Sequence, residues 1–470
     1  MESMFSDTIC APATSVGSGA ITVIRVAGKD TFAIADKVVS LKKGTIAGAR
    51  GYSLHFGTVR DNGDTLDDVL VAVFRAPHSY TGENAVEISC HASAYIAQRI
   101  LCLLTDAGAR AATPGEFTRR AFVNGRMDLA QCEAVADLIA SETAAAHRLA
   151  MNQLKGGYSE EIRKMRSKIL EITALMELEL DFSEEDVEFA DRSELKHLTD
   201  ETLRMIDGLA ATFRLGNAIK QGVPVAIAGA VNSGKSTLLN ALLGEERAIV
   251  SDIAGTTRDT VEETMTVGGT LFRFIDTAGI RQTDEAIEKM GIARTFDKIA
   301  KADIVLGVID LTVPEETLQR QIADLAGRME PGTQQLVIVG NKADLAASRD
   351  NLQHTGRLLD AAGPQKPAFI ALSALTGQGI DRLKSLLEET QRHRIGSASS
   401  LLVTNLRHYE ALTAAARDLA AVRTALDTAV PTEFIAQDLR AALTHLGAIT
   451  GEISADEVLG EIFGRFCIGK

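Results

Sequence analysis

The sequence predicts a multidomain protein of mixed class: an α/β unit with a parallel sheet, inserted in an all-α helical bundle and preceded by an α+β or α/β domain. Three observations predict it. Strand-like runs alternate with turn signals up to about residue 120. Apolar residues then recur at three- and four-residue spacing. Between about Gln221 and Arg394, β-rich apolar runs alternate with helical stretches before the helical period returns. At 470 residues with 46% hydrophobic side chains, the chain exceeds one ordinary core and is long enough for two or three domains.

The first part, residues 1–121, holds the runs AITVIRVAG from Ala20, DDVLVAVFRAP from Asp67 and AVEISCHA from Ala85, with a helix expected over Tyr95 to Ala107. In the second, 122–220, Leu129, Cys132, Val135 and Ile139, then Ile162, Met165, Ile169, Ile172 and Leu175, fall on one helical face. The third, 221–394, carries VPVAIAG, LFRFIDTAG, ADIVLGVID, QQLVIVG and AFIALS, the continuous apolar runs of strands covered on both faces. The fourth, 395–470, follows a possible hinge at Gly396 to Ser400 and reads as helical over Leu402–Thr428, Thr432–Ile449 and Asp456–Phe463, with Ser454 and Glu457 forming an S-x-x-E capping box. Helices before and after the α/β unit are expected to pack together as one bundle.

Composition removes several function classes. A formal net charge of −14 excludes a surface that grips nucleic acid everywhere through phosphate neutralisation, so any RNA contact is expected to be local. The five cysteines, Cys10, Cys90, Cys102, Cys132 and Cys467, are scattered and include no C-x-x-C pair, which fits a reduced cytosolic protein better than a disulfide or zinc scaffold. No basic and apolar leader opens the chain, and no apolar run reaches the roughly 18 residues of a membrane span.

Gly229-Ala-Val-Asn-Ser-Gly-Lys-Ser236 matches G-x-x-x-x-G-K-[ST] and lies between a strand and a helix, where backbone N–H groups can cradle phosphates. Lys235 then supplies a cation to the β- and γ-phosphates, and Ser236, with Thr237 beside it, a hydroxyl to Mg²⁺. Asp276-Thr277-Ala278-Gly279 follows the strand LFRFI, placing Asp276 toward the Mg²⁺ shell and the Gly279 N–H toward the γ-phosphate. Asn341-Lys342-Ala-Asp344 follows QQLVIVG, and the Asp344 carboxylate can accept from the ring N–H and amino group of guanine, a donor pair that adenine lacks. Ser373-Ala374 completes the base pocket. The position after Gly279 is Ile280, so a group other than a glutamine there must orient the attacking water; Arg281, Gln282, Glu288, Arg258 and Asp259 are the candidates nearby. Thr257 is the natural second Mg²⁺ hydroxyl of a switch loop.

With GAVNSGKS, DIAGTTRD, DTAGI, NKAD, the early DTI, SYTGE, PGEFTRRAF, NGRMDLAQ and the closing CIGK, the whole chain resembles the MnmE (TrmE) family. The resemblance implies a Ras-like P-loop G domain and an N-terminal folate-binding and dimerisation domain. It implies a homodimeric, potassium-activated GTPase that works with a flavoprotein partner, MnmG (GidA), which carries the FAD. Together they install an aminomethyl or carboxymethylaminomethyl group on carbon 5 of the tRNA wobble uridine. A tetrahydrofolate derivative, 5,10-methylene- or 5-formyl-tetrahydrofolate, supplies the carbon.

Carried over by position, the nucleotide is bounded by Asn232, Ser233, Gly234 and the segment Ser251, Asp252, Ile253, Ala254, Gly255, Thr256 and Thr257. Asn232 and Thr256 offer side-chain oxygens to K⁺, and Ser251 and Ile253 main-chain carbonyls. Glu288 orients the water and Arg258 the switch loop. The folate site maps to Arg25, Glu87, Arg126 and Lys470, with arginine at 126 where relatives often have lysine, and Cys467 lies near the modification chemistry. Read alone, Glu87 is an outward strand residue and the CIGK tail a frayed terminus. The rival reading is a ribosome-assembly or RNA-binding GTPase without modification activity.

Overall fold

The computed structural model describes residues 6–14, 19–181, 192–244, 263–275, 302–329, 334–360, 367–396, 401–428, 430–453, 456–464, 466 and 469. They form two compact units, one of Met1–Ala140, Ala150–Asp207 and Glu410–Lys470, the other of Ser141–Leu149 and Gly208–Tyr409. The chain thus leaves the first unit and returns to it.

The first unit opens with strands β1 (Thr8–Pro12), β2 (Ile21–Gly28), β3 (Val39–Leu41), β4 (Ser53–Asp61), β5 (Asp64–Phe74), β6 (Ala85–His91) and β7 (Arg110–Ala111). They make one sheet in the order β3-β4-β5-β6-β2-β1-β7, antiparallel except between β1 and β7. Period-two alternation assigns the faces. Val69, Val71 and Val73 of β5, with Ile24, Val26, Val86 and Ile88, are buried against the helices Thr31–Val38 and Ala94–Asp106. On the other face Ile9, Ala11, Ala27 and Ala85 pack with Phe117 of the helix Glu116–Val123. The runs from Ala20, Asp67 and Ala85 became β2, β5 and β6 as expected, whereas β1 and β4 were missed. One signal for β4 was present, because β4 and β5 are joined by Asn62-Gly63, both at positive φ, the dipeptide that tight hairpins favour.

In the same unit the helix Leu129–Ile139 starts at a capping box in which Asp128 Oδ1 accepts from the Gln131 N–H and the Gln131 side chain accepts from the Asp128 N–H. Leu129, Cys132 and Val135 are buried as expected, but Ile139 is 57% exposed because the helix ends there. The 25-residue helix Gly157–Asp181 buries Ile162, Met165, Ile169, Ile172 and then Met176, not Leu175, in keeping with a 3.6-residue turn. It packs against the helix Thr432–Thr450, whose Ile435, Leu439, Leu446 and Ile449 are buried, so segments before and after the inserted unit do share a bundle. The helix expected from Leu402 begins only at Leu406. Val403 is buried without helical structure, its N–H donating to the Thr212 hydroxyl. The helix Asp456–Gly464 is present, while Ser454 of the expected capping box lies outside the described residues.

The second unit is built on β8 (Val223–Gly229), β9 (Glu263–Val267), β10 (Thr270–Phe274), β11 (Ile304–Asp310), β12 (Gln335–Asn341) and β13 (Ala368–Ala371), ordered β13-β12-β11-β8-β10-β9. All neighbours are parallel except β9 and β10. The helices Lys235–Leu243 and Ile380–Gly396 cover one face through Leu238, Leu242, Leu383 and Leu387. Glu315–Ala326 and Arg349–Asp360 cover the other through Leu318, Ile322 and Leu359. This is a Ras-like P-loop fold, with the carboxyl ends of β8, β11 and β12 opening where ligands bind in such sheets. The helix Phe213–Gln221 packs on β8 and β10, its Arg214 paired to Asp303 at the foot of β11.

Candidate nucleotide and cofactor sites

β8 delivers the chain into the turn Ala230–Ser233, and the helix Lys235–Leu243 begins directly after Gly234. Asn232 and Gly234 both take positive φ, 62° and 96°. A β-carbon at Gly234 would lie 2.1 Å from Asn341 Nδ2, so the turn needs glycine for space as well as conformation. Lys235 Nζ donates to the Gly229 and Ala230 carbonyls at 3.0 and 2.7 Å, folding back over the loop. Ser236 and Thr237 occupy the first turn of the helix, whose exposed N–H groups and dipole favour an anion.

Asn341, at the end of β12 and almost fully buried, joins three loops. Its Nδ2 donates to the Ser233 carbonyl at 2.8 Å, its Oδ1 accepts from the Ala374 N–H at 3.0 Å, and its carbonyl accepts from the Leu311 N–H at 3.1 Å. The phosphate loop and the expected base loops are therefore held by one side chain. The Ala343 N–H donates to the Leu372 carbonyl, and Ser373 Oγ accepts from the Thr376 N–H. Asp344, two residues beyond Lys342, is exposed.

Ser251, Asp252, Ile253, Ala254, Gly255, Thr256, Thr257, Arg258, Asp276, Thr277, Ala278, Gly279, Glu288, Cys467 and Lys470 lie outside the described residues. Of the residues expected to hold Mg²⁺ or K⁺, Ser236 lies in the first turn of the helix Lys235–Leu243 and Asn232 in the turn before it.

Arg25 and Glu87 are direct cross-strand partners between β2 and β6. Arg25 Nε and Nη2 donate to Glu87 Oε1 at 2.9 and 2.8 Å, and Nη1 donates to the Gly469 carbonyl at 3.3 Å. The guanidinium lies 5.2 Å from the Tyr80 ring centre and 5.6 Å from that of Phe117, within cation–π range. Together with Ala27, Phe74, Tyr80, Thr81 and Ala85, the pair lines a cavity of about 100 Å³. That is below the roughly 300 Å³ of a complete small-molecule pocket. The tail residue Gly469 is buried and reaches this pair, where the frayed-terminus reading had it loose. Arg126 stays exposed beside Gly82, next to the Thr81 that lines the cavity.

Sequence reasoning missed Tyr80 and Thr81, although SYTGE was noted. The aromatic among small polar residues was the available signal. Burial pushes the Tyr80 hydroxyl above its ordinary pKa, and its oxygen bonds Thr118 at 2.9 Å.

Also missed was a charge cluster centred on Arg120 of the helix Glu116–Val123. Arg120, fully buried, donates to Asp7 Oδ1 at 2.7 Å and Glu116 Oε1 at 3.1 Å and faces Glu83 at 3.4 Å. Arg110 donates to Asp7 and Glu116 at 2.7 and 2.6 Å. Burial pushes the thiols of Cys10 and Cys90 up to about 11 and that of Cys132 higher still, leaving all three unreactive. Among the described residues no cluster of His, Cys, Asp and Glu is arranged to hold a metal, and no helix is long and apolar enough to cross a membrane.

Against known families, residues 129–467 match the MnmE helical domain and residues 8–126 the GTP-binding protein TrmE N-terminus. The chain belongs to the MnmE family of tRNA modification GTPases. The tRNA modification GTPase MnmE of Parabacteroides distasonis is 48% identical over 98% of this chain and 100% of its own length. Those of Bacteroides thetaiotaomicron, 47% identical over 99% and 100%, and Porphyromonas gingivalis, 48% identical over 100% and 99%, agree. The MnmE assignment therefore spans the phosphate loop, the Arg25–Glu87 pair and the tail alike. Among solved structures, the G domain of the T. maritima FeoB iron transporter is 26% identical over 36% of this chain and 97% of its own, with a TM-score of 0.25. Era in complex with MgGDPNP and 16S ribosomal RNA nucleotides is 25% identical over 42% and 66%, with a TM-score of 0.28.

Proposed function

We propose that this MnmE-family chain is a potassium-activated GTPase that works with the flavoprotein MnmG (GidA), which carries the FAD. The pair installs an aminomethyl or carboxymethylaminomethyl group on carbon 5 of the tRNA wobble uridine, using a tetrahydrofolate one-carbon donor. GTP hydrolysis as part of tRNA modification is the coarse reading that the MnmE relatives carry by name. The observation that carries the nucleotide half is Asn341, whose side chain ties the phosphate loop to the Ser373-Ala374 turn beside Asp344.

In this reading the parts 1–121, 122–220, 221–394 and 395–470 are a dimerisation and folate-binding domain, a split helical domain and the G domain between its halves. Lys235 and the helix N-terminus meet the phosphates, and Asp344 selects guanine. Ser236 and Thr257 hold Mg²⁺, and Asn232, Ser251, Ile253 and Thr256 hold K⁺. When bound, K⁺ supplies positive charge beside the transferring phosphoryl group. Glu288 and Arg258 serve the water and the switch loop. The finer chemistry draws support from the Arg25–Glu87 cavity and from Gly469 beside it. The ribosome-assembly alternative has no use for that cavity.

Nucleoside mass spectrometry on tRNA from cells lacking the chain tests the whole reading. Loss of the carbon-5 group on wobble uridine is expected, with recovery on restoring the chain. Intact modification in such cells, where no second gene of this kind exists, defeats it.

A further inference from the structure

Asp310 belongs to none of the nucleotide motifs, yet it is bonded to one of them. It closes β11 and lies opposite Asn341 in the parallel register with β12. Its Oδ1 accepts from the N–H and hydroxyl of Thr312 at 2.9 and 2.7 Å, and its Oδ2 accepts from Lys342 Nζ at 2.6 Å. The carboxylate is 15% exposed and the lysine side chain 35%. Burial, the largest influence on the Asp310 carboxyl, pushes it up, but Lys342 and Thr312 outweigh burial and hold it below the usual range.

Lys342 has an unfavourable backbone. Its φ of 63° is left-handed, where the β-carbon crowds the carbonyl oxygen. Such conformations persist where the surroundings over-determine them. Here the Asp310 ion pair fixes the side chain, the Leu345 N–H donates to the Lys342 carbonyl, and the Ala343 N–H donates to Leu372. Asn351 braces the same region by donating to the Leu311 and Val313 carbonyls, both at 2.8 Å.

We infer that Asp310 is a positioning residue for the guanine pocket: it ties down Lys342 and so fixes the turn that presents Asp344 to the base. With its ammonium held by Asp310, Lys342 offers methylenes and not a loose charge to a flat purine. The inference rests on reading Asn341–Asp344 as the base pocket.

The test uses the full chain, with affinity for a fluorescent guanosine diphosphate and steady-state GTP hydrolysis as readouts. Asp310→Asn and Lys342→Met should each weaken binding about tenfold, the weight of one charge-assisted hydrogen bond discounted for the partly exposed lysine. The double variant should be no weaker than the worse single variant, because both changes break the same link. KM should rise more than kcat falls. Asp310→Glu, which keeps the charge, should recover most of the affinity and covers the case in which Asp310→Asn fails to fold. Multiplying defects in the double variant, a fall in kcat at unchanged affinity, or a Glu variant as weak as the Asn variant each overturns the inference.

Asp344→Asn separates this inference from its premise. An asparagine amide can donate to the C2 carbonyl of xanthine, so preference should move from guanosine to xanthosine nucleotides. If it does not move, the base-pocket reading fails. If it moves while Asp310→Asn binds as the parent does, only the role of Asp310 falls.

Discussion

Replacing Arg120 with methionine removes the centre of the buried charge cluster while keeping an unbranched side chain of similar length. Arg120 is 0% exposed and meets three carboxylates, Asp7, Glu83 and Glu116. Removing one partner from a buried ion pair costs about 3–5 kcal/mol, because a charge is left without compensation. The lower end applies here, since Arg110 still holds Glu116 and Asp7, and Asp7 is 43% exposed. At about 2–4 °C per kcal/mol for a unit of this size, the transition containing the N-terminal sheet should fall by roughly 6–12 °C.

Differential scanning calorimetry on the full chain reads this directly, and the pH dependence adds a second signature. Burial, the largest influence on Glu116, pushes its carboxyl up, but Arg110, the Thr113 N–H and Arg120 hold it at about 2 against an ordinary 4.5. A depressed folded value stabilises fully above the unfolded pKa and is lost as pH falls from about 4.5 toward 2. Without Arg120 the folded value rises, so the variant's acid loss should shrink as well as its melting temperature. A shift under about 2 °C at pH 7, with an acid limb identical to the parent's, refutes the assignment of stability to this cluster.

Two further outcomes bear on the nucleotide site. Gly234→Ala puts a β-carbon where Asn341 Nδ2 now sits, at a φ of 96°. Nucleotide affinity by calorimetric titration should drop about a hundredfold or more, and a change under about threefold would contradict the geometry of the loop. Asn232→Ala should keep GTP binding but lose the rate gain from K⁺. Equal stimulation of variant and parent by K⁺, against Na⁺ as control, removes Asn232 from that role.

The sequence by itself determined most of the longer strands and helices, though not β1 or β4, and where the phosphate loop lies. These are local properties: a glycine-rich turn between a strand and a helix, a 3.6-residue apolar period over Gly157–Asp181, a two-residue alternation along β5. It could not choose between Leu175 and Met176 as the core residue, because neighbouring apolar positions satisfy the same approximate period until the helix is packed.

Tertiary structure alone decided the partners. Arg25 meets Glu87 across 62 residues and Asn341 meets Ser233 across 108. Neither pairing follows from spacing, since it depends on strand order and register. Arg120 follows Arg119 in the sequence with nothing local to mark it, yet it is buried among carboxylates that come from three separate segments. A charge leaves water only when the fold brings such compensation to it, and that supply is set by the assembled sheet and helix, which no stretch of the chain encodes locally.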